Sequence, residues 1–145
     1  MPTHFYTDTE IERIGRGLSD CSLPKREWTH AGHFAAVLWL LRCRPDLEVT
    51  AELPRLIRSY NAATGVANTD TGGYHETITL ASIRAARSVL DEHGEHAALH
   101  VVANNLLARE FGRSDWPLLY WSRLRLFSVE ARRVWLEPDL KPLPF

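Results

Sequence analysis

Apolar side chains in this chain recur at three- and four-residue spacings between clear caps and breakers, and nowhere sustain alternation at every second position. That rhythm excludes a half-buried sheet and predicts an all-α fold. Thr7-Asp8-Thr9-Glu10 has the form of a capping box, and Ile11, Ile14 and Leu18 behind it form a stripe, so a helix is predicted over 8–19. The segment CSLPKREW breaks that pattern. Thr29 then caps a second helix running to about residue 44, where Pro45 forbids continuation. Thr50, with Pro54 near the first turn, opens a third that stops near Gly65. The loop VANTDTGGY follows, because Asn, Thr, Asp and paired Gly favour turns over helix interiors.

A fourth helix is predicted over about 74–92 and a fifth over about 95–110, closed by Gly112. Ser114-Asp115 caps a sixth carrying Trp116 to Leu126, Ser128 starts a short seventh stopped by Pro138, and the tail PDLKPLPF reads as an extended strap. Trp121, Leu124, Phe127 and Trp135 are expected to close the bundle, and any leftover apolar face suits a homodimer interface. The expected architecture is an irregular single-domain helical bundle of about six or seven helices over residues 1–145.

Composition removes several function classes. Seventeen Lys plus Arg against eighteen Asp plus Glu leave a formal charge of −1, so nothing in the balance attracts nucleic acid or an anionic membrane. The longest apolar run, FAAVLWLL, falls far short of the ~20 residues that span a bilayer, and the first residues carry no basic stretch leading into an apolar one. Cys21 and Cys43 are expected to be reduced packing residues, which fits a cytoplasmic protein. Nucleotide-binding glycine motifs, a GxSxG elbow and HExxH are all missing from the sequence. The run RLRLFSVEARRVW is basic and aromatic, but the balancing acids elsewhere make its arginines solvated helix faces.

The informative conflict lies in two stretches, EWTHAGHF and GYHET, where polar residues occupy positions the helical pattern reserves for apolar ones. At about 100° per residue, Phe34, Val37, Leu38, Leu41 and His33 all fall within about 80° of His30, so both histidines lie on the buried stripe. His75 falls in the arc made by Ile78, Ala85, Ala86 and Val89. Three buried imidazoles need partners, and one divalent cation, Zn, Fe or Mn, bound by His30, His33 and His75 would satisfy all three and leave a position for water or substrate. Glu27 and Glu76 are the candidates to assist proton transfer. The alternative is that the histidines bond internally, His75 capping a loop and His30 meeting a Tyr. A rival cluster, His93, His96 and His100, reads as a solvated helix rim. The loop NTDTGG is either an anion cradle or a set of caps and turns.

EWTHAGHFAAVLWLL, IRSYNAATGVANTDTGGYHETIT and RLFSVEARRVWLEPDL resemble segments of a family of small, uncharacterised bacterial helical proteins marked by a WTHxxH helix and a GYHET element. The resemblance implies membership without an assigned activity and supports treating His30, His33 and His75 as one site. Glu27-Trp28-Thr29-His30 also resembles the Glu-x-x-His element of di-iron carboxylate bundles, which need a second such element that this sequence lacks. The functional expectation is a metal-dependent enzyme of hydrolase or oxygenase type acting on a small molecule. Its rival is a non-catalytic helical module that binds a partner or itself.

Overall fold

The second helix organises the rest. In a computed structural model that describes residues 4–145, α2 (His30–Cys43) is buried on nearly every side from Ala31 to Leu40 and packs against all four of the other long helices. These are α1 (Asp8–Ser19), α3 (Val49–Ala63), α4 (Glu76–His93) and α5 (Leu99–Ala108). A helix that is apolar all round has no solvent face, so it must be the centre of a bundle. Residues 1–3, where the sequence was read as carrying no leader, lie outside the described residues.

The predicted caps form where the side chains allow them. Thr7 accepts from Glu10 N–H at 3.3 Å while the Glu10 carboxylate accepts from Tyr6 N–H at 3.2 Å, so two orphan donors are satisfied across the start of α1. Thr29 accepts from Gly32 N–H at 3.0 Å and opens α2. The third helix begins two residues earlier than expected, because Glu48 rather than Thr50 supplies the cap, accepting from Thr50 N–H at 3.4 Å. The fifth begins later than expected, at Leu99, since Glu95 and His96 are exposed and give the helix no apolar face there.

The greatest departure is the expected sixth helix. Trp116–Leu119 is a short 3-10 turn, and α6 is confined to Arg123–Leu126. Ser122 interrupts the run: its hydroxyl accepts from Arg125 N–H at 3.3 Å and so starts a new helix instead of continuing the old one. α7 (Val129–Arg133) is likewise only a turn and a half. Beyond it the tail is the expected strap: Leu140 N–H bonds Tyr120 O at 2.9 Å and Asp139 accepts from Ser122 N–H at 2.7 Å. Trp121 is fully buried, with its indole N–H on Leu136 O at 2.9 Å, but Leu124 is 90% and Phe127 55% exposed, so these two do not close the bundle. No strand occurs among the described residues, and none of their helices is long and apolar enough to cross a membrane.

α1 and α2 meet with the Trp39 ring laid over Gly15; a Cβ on Gly15 would stand 2.6 Å from Trp39 Cδ2. Gly15→Ala should therefore destabilise by about 1–2 kcal/mol, because overpacking of about 1–3 kcal/mol outweighs the roughly 1 kcal/mol of helix propensity gained. Urea unfolding checks this; an increase in stability would show that the ring moves aside freely.

Candidate functional site

Two neighbouring cavities open beside the first turns of α2 and α4. The first, about 320 Å³, lies between α2, α3 and α4 and has apolar walls that include Val37, Leu53, Ile57 and Trp116, with Thr79 and Ser82 as polar points. The second, about 440 Å³, lies toward the GYHET segment and is lined by Asn61, Tyr74, His75, Phe127 and Arg132. Trp28, His33, Ile57, Ile78 and Thr79 line both. His33 thus stands at the junction.

The i, i+3 spacing puts His30 and His33 at one end of α2, and both line the first cavity. The His30 ring bonds Phe111 O through Nε2 at 2.7 Å, not a Tyr, and lies edge-on to Phe34. His33 bonds Thr29 O through Nδ1 at 2.7 Å and stacks on the Trp28 indole with ring centres 3.8 Å apart. A carbonyl can only accept, so each of these ring nitrogens carries the proton. The other nitrogen, Nδ1 of His30 and Nε2 of His33, is then a bare acceptor. Among the described residues no buried side-chain polar atom lacks a partner, so these two acceptors face open space. Desolvation by the surrounding walls pushes His33 down to about 4, against the upward pull of Thr29 O and with a small further push from His30. At neutral pH the ring is uncharged.

His75 behaves differently. It precedes α4 and caps it: Ile78 N–H donates to His75 Nδ1 at 3.2 Å, which leaves the proton on Nε2, and Nε2 bonds Leu126 O at 2.8 Å. Both nitrogens are spent on backbone. A ligand nitrogen needs a free lone pair, so His75 as bonded has none for a metal, and among the described residues no group of three His, Cys, Asp or Glu side chains is arranged to hold one. The residues present do not form the expected three-histidine centre. His33 does share a cavity with each of the other two, but as a neighbour and not as a co-ligand.

The two carboxylates expected to move protons line neither cavity. Glu27 lies in a 3-10 turn and is paired with Arg13, whose guanidinium holds the carboxyl below its ordinary range. Glu76 accepts from the Tyr74 hydroxyl at 2.6 Å; burial first, and this bond second, push the phenol well up. The third cluster also disperses: His100 is paired with Asp8 at 2.6 Å, His93 bonds Val89 O and His96 is exposed.

The NTDTGG loop spends its polar side chains on neighbouring parts of the chain. The Asn68 side chain accepts from Tyr74 N–H and from the Asn61 amide, Asp70 pairs with Arg133, and Gly73 has φ +79° with Ala67 O where a Cβ would stand. Caps and turns explain it. Of the other lining residues, the sequence singles out neither Trp28 nor Asn61, marks Thr79, with Tyr74, only as a partner for a histidine nitrogen, and places Arg132 on a solvated helix face. Helical periodicity marks Thr79 and Asn61 as inward-facing; Arg132 gives no such signal.

No family model matches the chain, and no curated protein or solved structure matches it, so the likeness carried by WTHxxH and GYHET stands on those words alone.

Two predictions follow from the histidines. His75→Ala removes the cap of α4 and leaves Leu126 O without its donor, and should cost about 2–3 kcal/mol; His75→Asn, which restores a cap acceptor, should recover about 1. Urea unfolding of both variants measures this, and a neutral alanine variant would show the clamp to be dispensable. For His33, the unfolded ring takes up its proton near 6.5 and the native ring only near 4. Between those values the unfolded chain binds the extra proton, so stability falls as pH drops. His33→Leu should remove on the order of 1–2 kcal/mol of that fall, less than full burial would give because the ring edge is open. Equal pH profiles for the two proteins would refute the assignment.

Proposed function

We propose that the protein binds a small, largely apolar organic molecule carrying a hydroxyl or N–H donor, seated in the first cavity with that donor on Nε2 of His33. The observation that carries this reading is a neutral acceptor nitrogen at the edge of a chamber of about 320 Å³ whose walls are mostly apolar. Apolar walls supply affinity without direction, and one fixed polar group selects the orientation. Trp28 stacks on the imidazole and Thr29 O fixes its proton, so the acceptor is set before a ligand arrives. This reading takes the place of metal-dependent hydrolysis or oxygen chemistry because His75 keeps no nitrogen free for a metal.

The test is a titration with N-phenyl-1-naphthylamine, an uncharged apolar fluorophore with one N–H donor. Saturable binding to one site is expected, with the His33 ring resonances shifting in NMR spectra. His33→Leu should weaken it by roughly 5- to 30-fold, the equivalent of about 1–2 kcal/mol for one buried hydrogen bond. Ser82→Phe, which fills the chamber, should abolish it while the helical circular dichroism persists. Binding should hold at neutral pH and fail as the pH drops through about 4, where His33 Nε2 gains a proton and ceases to accept. An absence of saturable binding, or binding untouched by a well-folded Ser82→Phe, would overturn the reading.

A further inference from the structure

The second cavity differs from the first in charge. Arg132, half-buried on α7, donates from Nη1 to Gly73 O at 3.1 Å and to Tyr74 O at 3.2 Å. Two carbonyls thus hold the guanidinium in place without neutralising it, and among the described residues no carboxylate pairs with it. Its neighbours are otherwise engaged: Arg133 is paired with Asp70 and Arg125 donates to Glu137 O. Among the described residues Nη2 and Nε of Arg132 have no partner, and Arg132 lines the cavity. Asn61, 8% exposed, lies on the same walls, with one amide N–H on Asn68 and the second still to give.

The other polar groups there carry little opposing charge. His75 is neutral, since burial and then the nearby Arg132 charge disfavour its protonation. Glu76, which accepts from the Tyr74 hydroxyl, does not line this cavity, and the Arg58 guanidinium sits 4.3 Å over that same Tyr74 ring. A half-buried cation with spare donors, no counter-ion and a desolvated neighbour is a place for an anion. A single guanidinium fork matches the two oxygens and single charge of a carboxylate; a phosphate dianion would call for further cations that the walls do not supply.

We propose that the natural ligand is a monocarboxylate with an apolar body: its carboxylate lies in the second cavity on Arg132 and its body passes His33 into the first. The assignment rests on the first cavity taking an apolar molecule, as argued above, and adds the anionic end. The shared wall of His33, Ile57, Ile78 and Thr79 sets the two cavities side by side, so that a molecule with two ends of different character can reach both.

Isothermal titration with indole-3-propanoate and its neutral amide separates the two claims, because both probes carry the same ring and N–H donor. The carboxylate should bind at least tenfold more tightly than the amide, and its affinity alone should fall as sodium chloride is raised. In Arg132→Gln, which retains a donor for the carbonyls, the two probes should come within about twofold of each other. If the amide binds and the carboxylate gains nothing, or if the preference survives in Arg132→Gln, the carboxylate assignment is overturned and the apolar chamber stands. If neither probe nor the uncharged fluorophore binds, both fall. Should Arg132→Gln fail to fold, the probe ratio and the salt titration on the unaltered chain still decide.

Discussion

The cleft exists because one imidazole ties two distant segments together. With Ile78 N–H on Nδ1 and Leu126 O on Nε2, His75 is restricted to one tautomer and begins α4 in the same act that docks α6. Two residues on, the fully buried Thr77 hydroxyl donates to Ala131 O at 2.7 Å and accepts from Leu136 N–H at 3.2 Å, which sets α7 and the strap. Without that pair, α6 and α7 lose their bonds to the start of α4 and keep only those of Arg132 to Gly73 O and Tyr74 O and of Arg133 to Asp70, beside their apolar packing. Phe127 and Arg132, which form one side of the second cavity, depend on that docking.

Burial decides what each histidine does. A neutral ring has one donor and one acceptor, and the polypeptide can claim either or both. At His75 the backbone claims both, so the residue is structural. At His30 and His33 it claims the donor, and the acceptor is left at a surface walled by apolar side chains. Three residues of one type that look alike along the chain are thereby given different chemistry by the carbonyls and amides that happen to face them.

Much of the fold was legible because it is local. The caps at Thr7 and Thr29, the stop at Pro45 and the all-round apolar α2 are properties of neighbouring residues, and periodicity reports them directly. The sixth helix misled because Trp116 to Leu126 is apolar enough to read as one element, whereas the strap residues Leu136 and Asp139, far along the chain, reward a break at Trp121–Ser122. The site was half legible. That His30, His33 and His75 face inward follows from spacing. Which carbonyl each ring meets does not, since Phe111 and Leu126 lie 81 and 51 positions away. Arg132 lies on a helix of five residues, of which only Ala131 is buried, too short for a pattern to betray it.

The same separation has a kinetic side. Contacts within α1 and α2 close short stretches of chain, but the bonds from His75 and Thr77 close stretches of 51 and 54 residues, and the entropy of ordering grows with that length. Segments held by a few long-range bonds open ahead of the whole, in partial excursions that leave the rest folded. Tyr74 and His75 stand on one side of that seam, Phe127 and Arg132 on the other. Parting that seam would separate the two sides of the second cavity while the contacts of α2 with the other long helices stay in place.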